Sequence, residues 1–241
     1  MNRVNASQDE VLTIRLLALN EDVEAAVDLI NNGLAFLEKI NLANGSYYLP
    51  FTLLSLGYEH LMKDIICLGH YQKNGEFPCS KVLLDPGHEL VRLKQIILDE
   101  YMESCFFGTR AGREDKDLIA DNMKLNKLLG ILTDFAGATQ RYYHLNVVTS
   151  SVPLHEWEKE TAIAQWTREE MQEVIRAAGP DWKSKTLKGD PYKIITPANA
   201  KILGLFNRAL ARILIRQGKE AGRFTGLVAD FLHYEPSDVG L

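Results

Sequence analysis

An all-α fold is predicted from three observations. Apolar residues recur at spacings of three and four along almost the whole chain. Gly, Pro and Asn interrupt those runs at intervals that suit helix ends. No stretch shows the sustained alternation of apolar and polar residues that a half-buried strand requires.

The elements follow in order. Residues 1–20 form an N-terminal segment, and Met1 to Glu10 is polar, without the apolar run of a secretory leader. Asn20 has the chemistry of an N-cap, and Glu21, Asp22 and Glu24 follow where a helix dipole favours anions. A helix over 21–42 is predicted, with Val23, Ala26, Ile30, Leu34, Leu37 and Ile40 along one face. Asn44-Gly45-Ser46 ends it. A second helix is expected from Pro50 to Tyr71, with proline tolerated in its first turn. Lys73-Asn74-Gly75 closes it, residues 77–87 read as a loop, and His88 to Ser104 as a third helix. After a break at Gly108–Gly112, Glu114 to Val148 reads as one long helix, kinked near Gly130 or Gly137. Thr149 to Pro153 is a linker.

Beyond the linker, His155 to Ala178 is amphipathic and stops at Gly179-Pro180. Asp181 to Pro197 is polar and basic, a loop or a short strand at Tyr192–Ile195. Pro197 to Gln217 is the last strong helix, and Arg223 to His233 a short final one. The resulting organisation is a bundle over 21–148 and a helical extension over 149–241 packed on it.

Composition narrows the function classes. With 241 residues and 46% hydrophobic content, the chain can bury a sizeable core. No apolar run approaches the roughly 20 residues that span a bilayer, so no membrane role is expected. Cys67, Cys79 and Cys105 contain no paired CxxC spacing, which points to reduced thiols in a cytoplasmic protein and to no zinc site. No Gly-rich phosphate loop, paired metal-binding carboxylates or activated serine is present, so neither cofactor nor metal is expected. The net charge of −5 is uneven. Between Asp181 and Arg223 there are ten Lys/Arg against three Asp/Glu, a balance of +7 that leaves −12 elsewhere.

Glu59 and Lys63 are four apart in the favoured order on an apolar-rich helix, and Gly87-His88 opens the next. Charged groups in such surroundings need partners. A polar network of Glu59, Lys63, His88, Arg141 and Asn146 is therefore predicted between adjacent helices. The order Gly57-Tyr-Glu-His-Leu-Met-Lys63, a loop with Pro78, Gly87-His-Glu-Leu90, and Arg141-Tyr-Tyr-His-Leu-Asn146 resembles the HEPN family of prokaryotic helical bundles. The resemblance spans Glu21 to Val148 and implies a bundle of four or five helices that commonly dimerises, here with additional C-terminal helices. Many members are ribonucleases of toxin, phage-defence and RNA-processing systems, and others are binding or scaffold modules.

The ribonuclease branch carries an arginine followed about four to six residues later by histidine. Guanidinium clamps phosphate, and imidazole moves protons near neutral pH. Here Arg141 precedes His144 by only three, and Arg223 precedes His233 by ten. Arg141 and Asn146 have the spacing, but asparagine cannot act as a general base. The expectation is a non-catalytic or repurposed HEPN-like protein of a stress or defence system that binds RNA or a protein as a homodimer. The alternative is a metal-independent endoribonuclease with Arg141 and His144 as catalytic residues.

The last strong helix supplies the candidate anion-binding face. Lys201, Arg208, Arg212 and Arg216 share an arc of about 80° at 100° per residue. Ile202, Phe206, Leu210 and Ile213 lie opposite. Such a face can contact phosphates or dock on an acidic partner.

Overall fold

The computed structural model describes residues 8–41, 46–102, 109–137, 148–149, 161–179 and 192–220. The described residues are almost wholly helical and include no strand. Helix α1 spans Gln8–Glu38, α2 Tyr48–Asn74, α3 Ser80–Leu84 and α4 Leu90–Ile96. The last of these runs directly into a π-helical turn, Ile97–Tyr101. Then come α5 Arg110–Asp121, α6 Met123–Ala136, α7 Ala162–Ala178 and α8 Tyr192–Glu220.

Several boundaries differ from the sequence reading. Helix α1 runs through Asn20, whose Nδ2 donates to Glu24 Oε1 at 2.8 Å instead of capping. The apolar spacing of Leu12, Leu16 and Leu19 continues into Val23, and that continuity overrides the local cap signal. The loop at 77–87 contains α3, and α4 begins two residues after His88. The long helix expected over 114–148 divides at Asn122, not at Gly130. Asn122 adopts an extended conformation and its Oδ1 accepts from Leu125 N at 2.9 Å, so one residue ends α5 and caps α6. Gly137 does end α6. No strand forms at 192–195, because α8 already starts at Tyr192. Three β-favouring residues, Tyr192, Ile194 and Ile195, are a weak signal beside a helix of that length. Residues 155–160 and the helix expected at 223–233 lie outside the described residues.

Other ends follow their chemistry. Gly75 takes φ 74 and its N–H returns to Tyr71 O at 2.8 Å, the left-handed C-cap that glycine adopts without a Cβ penalty. Thr161 Oγ1 accepts from Ala164 N at 3.1 Å and starts α7.

Helix α2 is the centre. It packs against α1, α4, α6 and α8, and Phe51, Leu54, Tyr58, Leu61, Met62, Ile65 and Ile66 are fully buried. Leu203, Phe206, Leu210 and Leu214 of α8 belong to the same core, although the sequence sets that stretch apart as an extension. Tyr58 Oη donates to Leu203 O at 2.8 Å, and Gln72 Nε2 to Gln217 O at 2.6 Å. Phe51 packs edge-on against Phe135 of α6 and Trp166 of α7, with ring centroids 5.4 and 4.8 Å apart.

The α1–α2 contact depends on small residues. A Cβ on Gly57 would stand 2.7 Å from Ile30 Cγ1 and 3.0 Å from the Ala26 carbonyl oxygen. The backbone atom cannot rotate away. Gly57→Ala is expected to cost about 1–3 kcal/mol by overpacking, read as a lower denaturant midpoint at unchanged slope.

Candidate functional site

The first polar cluster joins α2 to the turn before α4. Gly87 takes φ 56 and its N–H bonds Leu84 O at 3.0 Å, which turns the chain so that His88 faces α2. His88 Nδ1 donates to Glu59 Oε2 at 2.6 Å, and Lys63 Nζ donates to Glu59 Oε1 at 2.6 Å. A carboxylate only accepts, so the contact assigns the proton to Nδ1 and leaves Nε2 directed away from Glu59. The Glu59 side chain is buried, whereas that of His88 is 67% exposed. Burial pushes the Glu59 carboxyl up, but the bonds and charges of Lys63 and His88 outweigh it and leave it below its ordinary value. Leu90 N donates to Thr133 Oγ1 at 3.0 Å and fastens the same turn to α6. Chemically, this is a carboxylate-supported imidazole that can exchange a proton at Nε2.

The structure thus brings Glu59, Lys63 and His88 together. Arg141, His144 and Asn146 lie outside the described residues.

A second cluster, which the sequence reading missed, joins α1 to α2. His60 Nδ1 lies 3.0 Å from both carboxylate oxygens of Asp22. One turn on, Asp64 is buried with Oδ2 unpartnered. Burial, then the charge of Asp22 and a hydrogen bond with it, raise the Asp64 carboxyl well above its ordinary value, so it holds a proton where an exposed carboxyl would not. Burial and the charges of Asp64 and Asp22 push the Cys67 thiol up to about 12, which keeps it an unreactive thiol. His60 and Asp64 are four apart, a spacing the sequence displays. Asp22, however, reads locally as a first-turn anion.

Other buried charges brace helices. Lys94 Nζ donates to Ile119 O and to Asn126 Oδ1, each at 2.7 Å, so it caps the end of α5 and holds α6 beside it. Burial lowers its pKa against the opposing charge of Asp121. Glu170 of α7 accepts from Tyr47 Oη at 2.5 Å and Trp166 Nε1 at 2.7 Å. Burial still raises its carboxyl over those bonds.

The basic arc of α8 is not a uniformly open face. Arg212 Nη1 lies 2.8 and 2.7 Å from the two oxygens of buried Asp115, so it ties α8 to α5. Arg208 is exposed, whereas Lys201 and Arg216 are half-buried. The helix packs against α1, α2, α5, α6 and α7.

A groove of about 810 Å³ opens between α1, α2 and the segment before α3. Leu19, Cys67, Phe77 and Val82 line it, with Arg15 and Glu76 also in its walls. Among the described residues no group of His, Cys, Asp and Glu could hold a metal ion, and no helix is long and apolar enough to cross a membrane.

No family model matches the chain, and no curated protein and no solved structure matches it either.

The two clusters respond oppositely to pH. Glu59 has a depressed folded pKa, so its contribution is present above the unfolded value and is lost as pH falls through the folded one. Glu59→Gln is expected to lower stability at neutral pH and to flatten the acid limb of a denaturation series. Asp64 is the reverse. Above its ordinary value of 3.8 the unfolded chain releases this proton while the folded chain retains it, so stability falls as pH rises toward the folded pKa. Asp64→Asn removes that penalty and is expected to raise the melting temperature at pH 7 more than at pH 4.

Proposed function

We propose that this chain is a non-catalytic helical interaction protein, a repurposed HEPN-like module of a prokaryotic stress or defence system, that works as a homodimer and engages a macromolecular partner. One observation carries the reading: four of the buried ionisable groups, all but Asp64, are spent on holding helices together. Glu59 is closed by Lys63 and His88, Lys94 by a helix end, Asp115 by Arg212 and Glu170 by Tyr47 and Trp166. Groups committed in this way brace an architecture and leave little free chemistry inside it. A protein partner is favoured over RNA, because Arg212 is drawn out of the basic arc by Asp115 and Arg208 is its exposed member.

The endoribonuclease reading keeps one geometric support of its own. His88 is exposed and rests on a buried carboxylate, an arrangement suited to moving a proton. Arg141 and His144 would then supply the phosphate clamp and a second imidazole.

One assay separates the two readings. Purified full chain is incubated with mixed single-stranded RNA in EDTA, alongside His144→Ala and His88→Ala. No cleavage above background is expected from any of the three. Robust cleavage that disappears in either variant would establish the ribonuclease. Residual RNA retention, if it runs through Lys201, Arg208 and Arg216, is expected to weaken steeply between 50 and about 200 mM salt, as counterion release requires.

A further inference from the structure

The first turns of α1 are apolar on two opposite sides. Leu16 and Leu19 face inward and pack on the core. On the outer side Val11, Ile14 and Leu17 are 39%, 63% and 60% exposed. A helix that is apolar all round is normally buried all round. Taking 100° per residue from Ile14, Leu17 lies at about −60°, Ala18 at about 40° and Val11 at about 60°. Arg15 and Leu19, which line the groove, follow at about 100° and 140°. The exposed stripe therefore meets the groove at Ala18, itself a groove residue, with Arg15 at the boundary.

We propose that a second copy of this chain covers this surface, with the N-terminal turns of the two α1 helices laid antiparallel across a two-fold axis near Ile14. The proposal rests on the homodimer reading and assigns its interface. Charge supports this occupant. Arg15 stands in the α1 wall of the groove and Glu76 in the facing wall, and neither has an ion-pair partner among the described residues. A two-fold axis makes a patch complementary to itself, so Arg15 of each copy can reach Glu76 of the other. The stripe alone is smaller than the roughly 800 Å² per partner of a standard interface. The adjoining groove wall at Phe77, Pro78 and Val82 extends it as one face. A lipid surface fits less well, because Asp9, Glu10 and Glu21 surround the stripe where an anionic membrane would require Lys and Arg.

The test is light scattering coupled to size exclusion on the full chain, with helicity and melting temperature recorded for each protein. The wild type is expected to be a dimer at micromolar concentration. Ile14→Asp and Leu17→Asp are expected to be monomers with unchanged helicity. Arg15→Glu is expected to raise the dissociation constant at least tenfold, and adding Glu76→Arg to restore dimerisation. A dimer indifferent to all four variants would reject this surface and leave the dimer reading intact. A monomeric wild type would reject both. An Ile14→Asp monomer that has lost helicity would show that the stripe is covered by the chain itself, which also overturns the proposal.

Discussion

Helix α2 is buried on nearly every side while carrying Glu59, Asp64 and Ser55 among its buried residues. Burying an unpaired charge costs several kcal/mol, so each such group needs a partner or a raised hold on its proton. Glu59 takes His88 from the turn before α4 and Lys63 from its own helix. At Asp64, burial and then the charge of Asp22 of α1 raise the carboxyl well above its ordinary value, which favours its neutral form. His60, next to Glu59 in sequence, points instead to Asp22. Successive residues on one helix thus fasten it in two directions, and the bundle's register around α2 is set by these contacts as much as by its apolar surface.

Close approach reinforces that register. At Gly33 an added Cβ would stand 2.7 Å from Leu54 Cγ, and at Gly69 it would stand 2.8 Å from both Tyr101 Cδ1 and Gln217 Nε2. Gly57 and Gly69 let α1, the π turn and α8 reach the α2 backbone, and Gly33 lets Leu54 of α2 reach the backbone of α1. The hydrogen bond from Gln72 to the Gln217 carbonyl then closes the α2–α8 contact near its end. Hence α8 contributes to the core although it lies late in the sequence.

The all-helical class was legible because periodicity is a sum over many residues and survives local exceptions. The stop at Gly75 was legible for a different reason, since its chemistry is local. Asn20 and Asn122 show the limit. Both have N-cap chemistry, yet only Asn122 caps, because the apolar spacing before Asn20 continues into the core and holds the helix intact. The pairing of Glu59 with Lys63 can be read from a four-residue spacing. Asp22 with His60, Lys94 with Ile119, and Arg212 with Asp115 cannot, because each joins elements distant in sequence. The basic arc of α8 shows the same limit: a helical wheel orders residues by angle but does not say that Arg212 meets Asp115 of α5.

The same reasoning distinguishes an internal brace from an interface. A polar group that finds its partner within the chain has no further requirement, and Glu170, held by Tyr47 and Trp166, is of that kind. An apolar side chain is satisfied only by removal from water, at about 25 cal/mol for each Å² covered. Scattered exposed residues such as Leu84 or Met123 need no explanation, being isolated. Val11, Ile14 and Leu17 differ in being consecutive along one line of one helix and in adjoining a groove whose two walls carry opposite charges without an ion-pair partner among the described residues. Continuity and charge together, more than exposure, distinguish that surface from the scattered apolar residues.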